Sequence, residues 1–285
     1  MPPGSKRFWE LDAARGIAVA LMVCYHFVFD LKYFGIADLL SPQAMFWIPR
    51  AIGGLFLLIF GISLSISYAR NGGMGAKALA FKELNRAAFL AAVACAITIA
   101  TMIYPGEGAI VFGIMHLMAL CAVLSLAFRD FGRLNLLFGI ILVLAGSLVA
   151  TIQVGTPWLL WLGLAPAGFY SLDYYPLLPW FGVVLIGMFL GKKIYKDPRC
   201  AKAPTFQTGE RAHRGKTFGL LPEMQTSPRL QPWVFDPNAR RALRAPAQNP
   251  QAGMLAWAGG NSLAIYLLHQ PILVGAIAVL KYLLH

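Results

Sequence analysis

Acidic residues are scarce in this chain. It has 12 Asp and Glu against 24 Lys and Arg in 285 residues, and all charged residues together make up 13%. Soluble domains carry about 25% charged residues, so a surface wetted on every side is excluded. Cysteine is equally sparse: Cys24, Cys95, Cys121 and Cys200 include no C-x-x-C pair. A disulfide framework or zinc site therefore does not organise the fold. Three of these cysteines lie in apolar segments and read as small buried hydrophobes. There is no histidine pair at i, i+4 and no H-x-x-E-H run, so no metal is expected. No internal repeat and no separate soluble domain is visible. No small-residue cleavage site follows the first apolar run, which reads as a retained span rather than a signal peptide.

What the chain has in abundance is hydrocarbon: 58% of its residues are hydrophobic. Apolar runs near 20 residues, each able to cross about 30 Å of lipid, occur at 13–34, 46–69, 86–104, 109–128, 134–153, 175–194 and 257–284. The expected fold is an all-α, polytopic transmembrane helix bundle of about seven spans. The formal charge of +12 follows membrane topology, and no nucleic-acid partner is expected. Every lysine and arginine except Lys32, Arg50 and Lys281 falls on one side of the seven spans. The positive-inside rule then puts the N-terminus in the cytoplasm and the C-terminus outside.

The domain reading is a six-span unit at 1–196, a polar basic cytoplasmic loop at 197–253, and a last span of the same unit at 254–285. The loop, from Asp197 to Gln251, is rich in Pro, Arg, Gln and Ala without an amphipathic period, so it is expected to be disordered. The outer segment Gly155 to Pro179 lacks Lys and Arg but carries Trp158, Trp161, Phe169, Tyr170, Tyr174 and Tyr175. It reads either as an aromatic belt at the headgroups or as a lid over a site.

Ionisable residues inside spans mark functional sites by default. Arg15 and His26 stand eleven residues apart on the first span, roughly 16 Å along the axis, which puts His26 near mid-bilayer. Asp30 follows at i+4, on the same face, where it can orient the imidazole. His116 and His269 lie in two further spans, and the three histidines are expected to share a polar cavity. Asn261, Ser262 and Tyr266 accompany His269 on the last span. Ser262 and His269 are two turns apart, which disfavours a Ser–His nucleophile pair. Arg15 pairs with Asp12 at i+3. Its guanidinium, with Arg86 on the same side, reads either as a snorkelling interface cation or as a phosphate clamp. Asp173 at the outer start of span six reads as a helix cap or, with Tyr174, as part of an acceptor site.

Four ordered motifs carry a resemblance: Arg7-Phe-Trp-Glu-Leu-Asp12 with Arg15-Gly-Ile-Ala, Phe112-Gly-Ile-Met-His116, Asp173-Tyr-Tyr-Pro-Leu-Leu-Pro-Trp180, and Gly260-Asn-Ser-Leu-Ala-Ile-Tyr-Leu-Leu-His269-Gln-Pro. Over about 7–195 and 254–284 the chain resembles the heparan-alpha-glucosaminide N-acetyltransferase catalytic-domain family, and its prokaryotic branch most closely. The spacing Arg15-x10-His26 also resembles the signature of the acyltransferase type three family, which implies a catalytic His26. The resemblance implies a multi-pass acyltransferase of the cell (cytoplasmic) membrane. It would take an acetyl or other acyl group from cytosolic acyl-CoA and pass it to a sugar or envelope acceptor across the membrane. His26 would be the general base, oriented by Asp30, and Asn261, His116 or His269 would stabilise the oxyanion. Arg15 and Arg86 would hold the donor, and Asp173 and Tyr174 the acceptor. No permanently bound cofactor is expected. Membrane lipid is a partner, and a homodimer is left open. The alternative is a proton-coupled transporter or exporter using the histidines as a relay, which the lack of repeats disfavours.

Overall fold

A computed structural model describes residues 8–104, 108–195 and 250–284. These form eight α-helices: α1 Trp9–Tyr33, α2 Pro42–Arg70, α3 Ala76–Ile103, α4 Ile114–Phe128, α5 Leu134–Val149, α6 Leu177–Ile194, α7 Pro250–Gly260 and α8 Ser262–Leu284. Among the described residues there is no β-strand, only one isolated bridge between Gln153 and Ala165. Five helices (α1, α2, α3, α6 and α8) are at least 18 residues long and apolar enough to cross a membrane. With the shorter apolar α4 and α5, the chain is an all-α polytopic bundle of a multi-pass membrane protein.

Local chemistry sets several boundaries. The Ser41 hydroxyl accepts a hydrogen bond from the Ala44 amide at 3.3 Å and Pro42 opens the helix, so α2 begins four residues before its apolar run. Proline suits that first position because its missing N–H would have no partner there. Helix α3 starts ten residues ahead of its expected span, at Ala76. Its first turns hold Lys77, Lys82, Glu83 and Arg86, which read as loop by hydropathy, yet Glu83 is fully buried. The last span is two helical pieces broken at Asn261. The expected 197–253 loop lies, up to residue 249, outside the described residues, as does Cys200.

The main core lies between α2, α3, α4 and α6, around Leu57, Leu64, Leu117, Leu185 and Met188. Helices α2 and α6 run side by side in the same direction. A Cβ on Gly61 would collide with the Val184 backbone, and one on Gly187 with the Leu58 carbonyl. Backbones that approach this closely pack without side chains between them, as small residues allow in membrane helices. Helix α1 packs on α2 and on the α7–α8 span. The two ends of the bundle differ. One is basic: Phe8 meets Tyr195 there, with ring centroids 4.4 Å apart, and Arg70 lies over Phe8. The other is aromatic and holds the connections 34–41, 108–113 and 150–176.

Candidate functional site

Helices α7 and α8 run alongside α1 in the same direction. Near the basic end Gly259 lies against the Asp12 carbonyl and Gly16 against the Leu255 carbonyl. Toward the middle, the His26 and His269 rings face each other with centroids 4.9 Å apart. One residue further along α8, the Gln270 side-chain amide donates to Asp30 Oδ1 at 2.9 Å. At the aromatic end Lys281 Nζ donates to the Phe34 carbonyl at 3.3 Å.

His269 Nδ1 donates to the Tyr266 carbonyl at 2.7 Å. A carbonyl can only accept, so Nδ1 carries a proton, and in the neutral ring Nε2 is then the acceptor. That Nε2 is buried without a partner, as are His26 Nδ1, Asp30 Oδ2 and Gln270 Oε1. Four of the six such side-chain atoms among the described residues thus gather at one contact between α1 and α8. Unpaired buried polar groups are costly, and four of them lie together here.

The structure redistributes the sequence-derived site. It brings His26 and His269 together. It corrects the partner of Asp30, which is 2% exposed: α8 packs onto the face shared by residues 26 and 30, and Gln270, not His26, takes the carboxylate. It sets His116 apart. His116 Nδ1 accepts from the Gly113 amide at 3.3 Å, Nε2 meets Thr98 Oγ1 at 3.3 Å, and the ring stacks on Phe112. Nδ1 closes the start of α4 on its own cap residue and Nε2 ties it to α3, so the expected three-histidine cavity is a two-histidine contact. Asn261 is also displaced. It lies eight residues from His269, about 12 Å along a helix, and its side-chain amide donates to the Trp257 carbonyl at 2.9 Å, trimming the break between α7 and α8.

Asp173 and Tyr174 are built into the loop that closes the aromatic end. Asp173 Oδ2 accepts from the Ile114 amide at 3.0 Å. It therefore caps α4, fifty-nine residues away in sequence, rather than the neighbouring α6. Burial pushes its carboxyl up to about 6, against the lowering effect of that N–H. The Tyr174 hydroxyl donates to the Leu160 carbonyl and the Tyr175 hydroxyl to the Pro49 carbonyl, each at 2.7 Å. Burial pushes the Tyr174 phenol up to about 12 and raises that of Tyr175, helped by Asp173. Further bonds from Leu172 to Gly108 and from Tyr175 to Phe112 stitch this loop to the 108–113 connection. Beside them Trp158, Trp161, Leu160, Pro157, Val111 and Phe112 line an open apolar hollow of about 310 Å³.

At the basic end, Arg15 donates to Asp12 at 2.9 Å, the expected i+3 pair, and to Ser63 Oγ at 2.5 Å. Arg86 pairs with Glu83 at 3.3 Å and lies over the Phe60 ring. Nearby, the Tyr68 and Ser125 hydroxyls meet at 2.7 Å. Ser63, Glu83 and Gln270 were not among the expected site residues. A polar side chain in an apolar span was the signal that could have found Ser63 and Gln270; Glu83, ahead of its expected span, offered none.

A family model described as heparan-alpha-glucosaminide N-acetyltransferase, catalytic, matches residues 7–219. The match takes in Arg15, His26, Asp30, Arg86, His116, Asp173 and Tyr174 and stops short of α7 and α8. No curated protein and no solved structure matches the chain.

Proposed function

The chain belongs to the heparan-alpha-glucosaminide N-acetyltransferase catalytic family, and on that premise we propose that it is an acyltransferase of the cell membrane with His26 as general base. Acyl-CoA, acetyl-CoA first among them, is the donor and approaches from the basic, cytoplasmic end, where Arg15 is the residue we assign to its phosphates. A sugar or other envelope acceptor approaches from the aromatic end. The observation that carries this reading is the buried contact of His26 with His269, in which each ring keeps an unpartnered nitrogen.

In the reaction, the acceptor nitrogen or oxygen attacks the thioester carbonyl carbon. A C–N or C–O bond forms and the C–S bond breaks. The acceptor's proton passes to an imidazole and then to the leaving thiolate, giving free CoA. His269, held with Nδ1 donating to Tyr266, offers Nε2 as a second acceptor for that proton. A positioned general base is worth about 10²–10⁴-fold in rate. Asp30 serves through Gln270 and holds α8 beside His26. In this reading His116 and Asn261 hold the helices that frame the site, and Asp173 and Tyr174 shape the acceptor's entrance.

The test is release of CoA from acetyl-CoA by protein in nanodiscs, with and without a pool of cell-envelope sugars. Turnover should require the pool and should fall at least a hundredfold in His26→Ala. Full turnover in that variant at saturating substrate would remove His26 from the mechanism. A proton-coupled transporter would use the same Asp30, His26 and His269 groups. Substrate uptake into liposomes driven by a pH gradient, without CoA release, would favour it.

A further inference from the structure

We propose that Gln270 is a positioning residue: its bond to Asp30 sets the register of α8 on α1 and so holds His269 against His26. The proposal rests on the acyltransferase reading given above.

Helix α8 packs on the main core through Leu263 and Tyr266 near its start and faces lipid over much of the rest. Leu268, Ile272, Val279, Leu280, Tyr282 and Leu283 on it are exposed large hydrophobic residues, so much of its surface meets lipid, which gives no hydrophobic preference for one register over another. Glycine contacts fix the span at the basic end, but they lie on α7, beyond the break at Asn261. Pro271 removes a backbone N–H from α8 itself, which weakens the helix next to the histidine.

Between the glycine contacts and Lys281, the bond from Gln270 Nε2 to Asp30 Oδ1 is the one side-chain hydrogen bond joining α8 to α1 among the described residues. Its geometry is suited to indexing. His26 and Asp30 are one turn apart on a single face of α1. His269 and Gln270 are consecutive on α8 and answer them in order. A slip of α8 by one residue would break both contacts together. The residue types fit the task as well. A carboxylate accepts and an amide N–H donates, and a charge-assisted bond of this kind is shorter and stronger than one between neutral groups. The second oxygens, Asp30 Oδ2 and Gln270 Oε1, have no partner, so this single bond carries the pairing.

The test is an exchange of donor and acceptor. Gln270→Leu deletes the bond, and Gln270→Glu sets two carboxyl groups against each other. Asp30→Asn combined with Gln270→Glu rebuilds the bond with its roles reversed and its side-chain lengths kept. Two readouts are taken in nanodiscs. The first is the ¹⁵N spectrum of the His26 and His269 imidazoles without substrate, which needs no activity. The second is kcat and KM for acyl transfer.

Gln270→Leu and Gln270→Glu should shift both imidazole signals and lower kcat by about 10²-fold, the scale of an ångström of misplacement. KM for acyl-CoA should stay within about twofold, since the donor's phosphates lie at the far end. The exchanged pair should restore both the spectrum and most of kcat. Unchanged imidazole signals in Gln270→Leu would overturn the proposal whether or not the protein transfers acyl groups. Shifted signals with unchanged kcat would overturn it in an active protein. So would a double variant no better than Gln270→Glu alone. A wild type without transfer activity, but with signals that shift and recover as described, would refute the acyltransferase reading and leave the indexing role standing.

Discussion

Arg86→Met separates two roles for one arginine. Its guanidinium donates to Glu83 at 3.3 Å, with side-chain exposures of 10% and 0%, and lies 5.1 Å from the Phe60 ring centroid. Glu83 has one oxygen without a partner and the other on Arg86, so its charge in the core depends on that arginine. Removing one member of a buried ion pair costs about 3–5 kcal/mol, because the remaining charge is left uncompensated. Methionine keeps the aliphatic volume of the stem, so cavity formation adds little. We expect Arg86→Met to lower the unfolding free energy by about 3–5 kcal/mol, read by denaturant titration in detergent. Replacing both partners by apolar residues, Glu83→Leu with Arg86→Met, should recover most of that loss, since paired removal is near neutral. The double variant then reports on the donor. If Arg86 serves only the pair, KM for acyl-CoA returns to the wild-type value. If it also holds a donor phosphate, KM stays raised about tenfold or more in a protein of restored stability. An Arg86→Met protein within about 1 kcal/mol of wild type would refute the reasoning, because Glu83 would then not depend on its partner.

Two further predictions concern Asp173 and His116, which the structure builds into the start of α4. Burial raises the Asp173 carboxyl from 3.8 to about 6, so between those values the folded state binds the proton more than the unfolded state does. Stability should therefore fall as pH rises through that window and level off above it; Asp173→Asn should remove the slope in denaturation curves taken between pH 4 and 7, and an unchanged slope would place the proton elsewhere. His116→Leu should lower stability through lost bonds to Gly113 and Thr98 while leaving kcat within about threefold, whereas His269→Leu should lower kcat by about 10²-fold or more; equal losses in the two would return His116 to the reacting centre.

Much of the bundle was legible in the sequence because hydropathy alone marks a helix that must satisfy its backbone in lipid. Six of the seven expected spans coincide with α1 to α6 apart from their ends. The failures have physical causes. The buried turn of α3 around Glu83 and Arg86 looked like loop, because two charges that neutralise each other in the core read as two polar residues in a one-dimensional profile. His116 groups with His26 and His269 in the sequence, since each lies in an apolar run, and nothing local reveals that its nitrogens serve Gly113 and Thr98. Asp30 was read with its i+4 neighbour, the one partner that helix periodicity can supply, whereas its actual partner Gln270 comes from the other end of the chain. Asp173 was seen as a cap, but the helix it caps is set by how the 108–113 and 150–176 connections fold on each other, which no period encodes.

The pairing of the first span with the last has a consequence for how the protein is made. Asp30 and Gln270 are 240 residues apart, and at synthesis rates of about 5–20 residues per second that interval is roughly 12–50 s. Throughout it, α1 is in the bilayer with a histidine and a carboxylate that have not met their helix. A chain that stops before α8 carries the helices of the main core but leaves Asp30 without the amide it meets in the finished fold.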